Sequence, residues 1–190
     1  IGKRLFYFLS IKYLYLLLLI SYYKLPRKNK KFHNRIKIFT KSEEINNPQK
    51  ICIFASYSNK LSISTKLYIE CLAEINYKIV FVNNHPISPD DKDFLRKNSI
   101  LSFNRINLGR DVGAYKDIFL YLSSNGYLDQ LDFLCFSNDS VQFIPGLYAK
   151  KFQDSILKFE KSYSDALFSH FSNQDSPHFQ SFFSVINKNF

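Results

Sequence analysis

The sequence predicts an α/β three-layer sandwich with a mostly parallel sheet, and three observations carry that prediction. Short, continuous apolar runs at 51–57 (ICIFASY), 79–82 (IVFV) and 133–136 (FLCF) each stop at small polar residues. Strands covered on both faces by helices have this character, whereas half-exposed strands alternate. Helical patterns separate the runs, which is the β-α-β order of a parallel sheet. The 190 residues are 46% hydrophobic, with 5 Gly and 6 Pro, enough apolar material for one packed domain and too much for a disordered chain.

The elements follow in order. Residues 5–23 (LFYFLSIKYLYLLLLISYY) form an apolar helix broken by a single charge, Lys12. At about 1.5 Å per residue it would be roughly 28 Å long, close to a bilayer's hydrocarbon thickness. It either spans a membrane or lies in its interface; the alternative is a buried helix with a solvated basic tail. A basic run, Lys24 to Lys41, follows it. By the positive-inside bias that run puts the remainder on the cytoplasmic side, and it would attract anionic lipid. Residues 41–49 read as a linker, so 1–49 form a membrane-associated leader and 50–190 a separate domain. The chain contains no Met, and it is expected to be part of a longer reading frame.

Within the domain, 51–57 is a strand and 61–75 a helix. Residues 79–82 are a strand, and 90–97 a short helix started by Pro89. Residues 99–106 are a strand, 113–122 a helix with Ala114, Ile118, Tyr121 and Leu122 on one face, and 133–136 a strand. Residues 147–161 are a helix, and 166–171 and 179–186 the last strands. Cys52, Cys71 and Cys135 fall inside these elements and read as core. The four His (33, 85, 170, 178) have no metal-ligand spacing.

The charge distribution excludes one class of function. Residues 1–50 hold 12 Lys and Arg against 2 Asp and Glu; residues 51–190 hold 14 against 14. The excess of +10 is therefore local to the leader, and the neutral body does not suit nucleic acid.

Parallel sheets bind ligands beyond the carboxyl ends of their strands, which marks 57–60, 83–86, 107–113 and 137–140; two stretches there, and one leading into the last strand, carry candidate chemistry. The first is 107–117 (NLGRDVGAYKD). Gly109 and Gly113 sit between a strand and a helix whose N-terminus suits phosphate. Arg110 and Lys116 add charge, and Asn107 and Asp111 suit sugar or base groups. The spacing is neither G-x-G-x-x-G nor a P-loop. The alternative is that Asp111 caps the helix and the glycines make the turn. The second is 137–140 (SNDS), where Asn138 and Asp139 would hold a divalent cation or sugar hydroxyls, or else build an Asx turn. The third is 176–181 (SPHFQS), where His178 and Gln180 share one face of a strand, or are merely polar residues at its start.

Together these stretches resemble the rhamnan synthesis protein F family of bacterial polysaccharide assembly. The resemblance runs in order from ICIFASYS and YKIVFVNN through NLGRDVGAYKD and FLCFSNDS to HFQSFFSVINK, across 50–190. It implies a GT-A-like, nucleotide-sugar-binding fold and a glycosyltransferase of cell-wall or lipopolysaccharide synthesis. The transferase would move rhamnose or a related sugar from a dTDP-rhamnose-like donor to a lipid-linked glycan at the cytoplasmic face of the inner membrane. It places Asn107–Gly113 against the donor and makes Asp139 the candidate ligand of Mg or Mn. Ser137 stands where many relatives carry the first carboxylate of an Asp-x-Asp pair. The general base would come from the acceptor side, after Phe190, with Asp165 and Asp175 as substitutes within the chain. The competing expectation is a non-catalytic nucleotide- or sugar-binding module of the same assembly.

Overall fold

The computed structural model describes residues 35–41, 48–99, 101–169, 171–172, 178–179 and 182–188. Strand β1 (Ile36–Lys41) is followed by β2 (Lys50–Ser56), α1 (Ile63–Glu74), β3 (Lys78–Asn83), α2 (Pro89–Asn98) and β4 (Leu101–Arg105). Then come α3 (Arg110–Ser124), β5 (Phe133–Asn138), α4 (Leu147–Glu160), β6 (Ala166–Phe168), β7 (Phe171–Ser172), β8 (His178–Phe179) and β9 (Phe183–Asn187). Seven strands form one sheet in the order β1-β4-β3-β2-β5-β9-β6, and β7 and β8 form a separate ribbon. Strands β4, β3, β2 and β5 are parallel neighbours. Strands β1 and β9 run against them, and β6, antiparallel to β9, runs with them.

The helices start and stop where local chemistry requires. Ser62 caps α1, its hydroxyl accepting from Thr65 N at 3.0 Å. Ser88 caps α2 ahead of Pro89, with Asp90 and Asp91 in the first turn and Arg96 and Lys97 in the last, matching the helix dipole at both ends.

Each face of the sheet carries its own core. Ile51, Ile53, Ala55, Val80 and Val82 pack under Ala114, Ile118, Tyr121 and Leu122 of α3. On the other face Cys52, Phe54, Ile79 and Phe81 meet Tyr68, Ile69 and Leu72 of α1, Leu95 of α2, and Ile156 and Phe159 of α4. This is the expected sandwich. All three cysteines are buried free thiols. From β2 the chain steps outward to β3 and β4, then α3 carries it back over the opposite face to β5, on β2's other side. The direction of winding therefore reverses between β2 and β5.

Several boundaries differ from the sequence reading. Residues 36–41, read as part of the basic leader, form the edge strand β1 on β4, so the sheet takes in chain that precedes position 50. Ile36 packs on one core and Phe39 on the other, across a register shift between Ile38 and Thr40 that breaks strict alternation. Lys37 and Lys41 hid the strand by making the stretch look solvated. Helix α3 starts at Arg110 rather than 113, because Gly113 N already bonds Gly109 O at 2.8 Å. The run 179–186 divides into β8 and β9, and 166–171 into β6 and β7. The apolar stretch 5–23 lies outside the described residues; among those described, no helix is long and apolar enough to cross a membrane.

One buried carboxylate fixes the loop that leaves β2. Asp91, fully buried, accepts from Leu61 N at 2.9 Å and Ser88 Oγ at 2.6 Å and pairs with Lys66 Nζ at 2.7 Å. Burial opposes its ionisation, but the bonds from Lys66, Ser88 and the Leu61 amide prevail and hold the carboxyl below its ordinary 3.8. A depressed carboxyl contributes stability above its unfolded pKa and loses it as pH falls through the folded one. Stability is therefore expected to drop as pH falls below 3.8. Asp91→Ala should remove that acid-sensitive portion and cost about 2–4 kcal/mol in denaturant melts at neutral pH.

Candidate functional site: the crevice between β2 and β5

A reversal of winding leaves a gap between two diverging connections at the carboxyl ends of the central strands, and ligands bind there in open α/β sheets. Here the gap is bounded by 56–58 after β2, 138–139 after β5 and the first turn of α3. Asp139 is its organising group. Its Oδ2 accepts from Ser56 Oγ at 2.6 Å, Tyr57 N at 3.1 Å and Ser58 Oγ at 3.1 Å. Its own amide bonds Ala55 O at 3.2 Å. Among the described residues no hydrogen bond falls on Oδ1, so the carboxylate is held rigidly through one oxygen.

Asn138, buried, donates from Nδ2 to Asp111 Oδ2 at 3.2 Å and bonds the Tyr115 hydroxyl. Its Oδ1 accepts from Ser140 N at 3.1 Å, which is the Asx turn. The turn and the site are thus one structure. Asp111 is not the helix cap: that position is Gly109, at φ 76, with no side-chain bond. Asp111 sits in the first turn and faces β5.

Tyr57 completes the crevice. Burial, and after it the Asp111 and Asp139 charges, push its phenol up to about 12 against the opposing pull of Arg105 and Arg110. The group is neutral at physiological pH, and its Oη is buried without a hydrogen-bond partner. The Tyr115 phenol is also driven up, by burial first and then by Asp111.

Beneath this layer Arg105 ties the surrounding elements together. Its Nε donates to Asp117 Oδ2 of α3 at 2.7 Å, its Nη1 to Asn84 Oδ1 at 2.8 Å and its Nη2 to Leu108 O. Gly113 is what lets Arg105 and the 106–109 loop lie against α3. A Cβ there would stand 2.1 Å from Leu108 O and 2.7 Å from Arg105 Nη2. Gly113 thus serves packing between loop and helix, and Gly109 serves the left-handed turn that admits α3. Arg110 follows it at φ 52, a conformation that costs an ordinary side chain roughly 1–2 kcal/mol.

The structure brings together Asp111, Asn138 and Asp139 of the residues singled out by sequence. Asn107 and Arg110 are exposed on the connection into α3. Lys116 is exposed, about 140° around α3 from Asp111. The His178 backbone pairs with Ser172 in the small ribbon; Gln180 and Asp175 lie outside the described residues. Asp165 precedes β6 at the sheet's amino end, its carbonyl bonded by Asn187 N, at the opposite end from Asp139. Among the described residues no group of three His, Cys, Asp or Glu side chains gathers to hold a metal. Ser56, Tyr57, Ser58, Arg105 and Asp117 were not singled out. The strand-end rule marks 57–60, and a charged Arg at the end of a buried strand is a further signal.

Comparison against protein-family models, curated proteins and solved structures returns no match.

Two substitutions test this geometry. Gly113→Ala should cost more than 2 kcal/mol in chemical denaturation, since backbone rather than a pliable side chain meets the new methyl. Tyr57→Phe should leave the ligand-free chain unchanged or raise its stability by up to about 1 kcal/mol, because it removes a buried hydroxyl with no partner. A fall in melting temperature for Tyr57→Phe would show that the hydroxyl is already satisfied.

Proposed function

We propose that the chain is a glycosyltransferase of bacterial cell-surface polysaccharide synthesis, of the rhamnan synthesis protein F type and with a GT-A-like donor site. On this reading it moves rhamnose or a related sugar from a dTDP-linked donor to a lipid-linked glycan at the cytoplasmic face of the membrane. The observation that carries the reading is Asp139: a carboxylate fixed by three hydrogen bonds to Oδ2 at the winding reversal, with no hydrogen bond on Oδ1 among the described residues. The ordered likeness of 50–190 to that family adds to it.

The donor diphosphate would lie at the N-terminus of α3, where free amides and Arg110 favour an anion. Asp111, Asn138 and Tyr57 would meet sugar or nucleoside hydroxyls. Among the described residues no side chains form a closed metal cage, but one carboxylate oxygen beside a diphosphate is how Mg or Mn is commonly shared between protein and substrate. Asp139 would hold such an ion, which when bound would neutralise charge on the departing diphosphate. Transfer forms the bond from acceptor oxygen to anomeric carbon, breaks the bond to the diphosphate and gives the hydroxyl proton to a base. Asp111 and Asp139 are both engaged as acceptors in the crevice, which favours the second reading: a module that binds the nucleotide sugar without turning it over.

Calorimetric titration with dTDP-rhamnose and other nucleotide sugars separates these readings when paired with an assay for donor consumption. Binding with turnover supports the transferase, and binding alone supports the module. Failure of every nucleotide sugar to bind the folded chain sinks both. Asp139→Asn should weaken donor binding at least tenfold, because the crevice loses its charge and one carboxylate oxygen becomes an amide donor.

A further inference from the structure

A second concavity lies two strands from the crevice. A cavity of about 280 Å³ opens where the chain entering β1 meets the carboxyl ends of β3 and β4. No residue of the Asp139 cluster lines it. Its wall includes Arg35, Lys37, His85 and Arg105 and no acidic side chain.

The charges there are unequally matched. Arg105 is buried and closely paired with Asp117 at 2.7 Å. Arg35 reaches the other oxygen of that carboxylate only at 4.0 Å, with 44% of its side chain exposed. Lys37 is exposed and forms no ion pair among the described residues. Two guanidiniums thus share one carboxylate and Lys37 stands beside them unpaired, around a concave surface where their fields add and attract an anion.

We infer that this cavity binds a phosphate monoester or diester, its phosphate on Arg35 and Lys37. A soluble polyol or sugar phosphate has that chemistry, and so does a glycerol-bearing lipid headgroup. The inference is independent of the donor reading, since it uses none of the crevice residues.

Calorimetry with glycerol 3-phosphate and inorganic phosphate, and flotation with phosphatidylcholine vesicles with or without phosphatidylglycerol, test it on the 190-residue chain. Arg35→Ala/Lys37→Ala should weaken glycerol 3-phosphate or phosphatidylglycerol-vesicle binding at least tenfold, leaving nucleotide-sugar binding unchanged. Lys37→Glu alone, at an exposed position, is the second variant if the pair melts early, and it too should weaken binding. Residues 1–34 are common to all variants, so the difference between them reports on the cavity. Loss confined to vesicles assigns a headgroup, loss confined to glycerol 3-phosphate a soluble ligand, and either supports the site. No binding of any probe, or binding that the substitutions leave unchanged, overturns it.

Discussion

The buried pair of Arg105 and Asp117 is the constraint on which the candidate site depends. A guanidinium brought out of water must satisfy its donors or its burial is prohibitive. Arg105 does so by reaching three separate parts of the chain: α3 through Asp117, the end of β3 through Asn84, and its own exit loop through Leu108 O. Asn84 in turn bonds Ser56 O from Nδ2, at 3.2 Å. One cation therefore sets the relative positions of β2, β3, β4 and α3. The carboxylate, phenol and helix N-terminus of the crevice inherit their geometry from it. The close approach allowed by Gly113 is the steric counterpart of the same arrangement.

The architecture was legible where burial dictates composition. Continuous apolar runs gave β2, β3 and β5 because strands covered on both faces leave no polar side to betray a register. Pro89 at the first turn gave α2, and the Ser88 cap was added by the structure. What was not legible is equally physical. In β1 the apolar residues of IKIFTK straddle a register shift and are overlaid by the charges of an edge strand, and an edge strand needs such charges to stay unpaired. The start of α3 was hidden because Gly109 and Arg110 take left-handed φ values that no helical pattern signals.

The site was legible by position and less so by residue. Beyond strand ends, Asp111, Asn138 and Asp139 are the polar residues that a ligand-binding crevice would use, and they converge. Tyr57 lies in the marked strand end 57–60 but was not singled out as a site residue, because a tyrosine ending an apolar run reads as core; its partnerless hydroxyl is visible only once Asp111 and Arg105 are placed around it. Arg105 and Asp117 are twelve residues apart, on a strand and a helix whose packing no local pattern reveals. Polar groups that look like turn formers, such as Asn138, do both jobs at once: the backbone turn orients the side chain that meets Asp111.

The placement of β1 has a consequence for how this polypeptide is divided. Its six residues cover the flank of β4, pairing Ile36 with Arg105 and Lys41 with Leu101. A cut made at position 50, where the composition changes, would strip that cover and leave β4 with a row of unpaired amides and carbonyls. A bare parallel strand of this kind is a template for the next molecule. The short basic segment thus closes that edge as well as belonging to the sheet, and a cut that keeps the sheet whole keeps it.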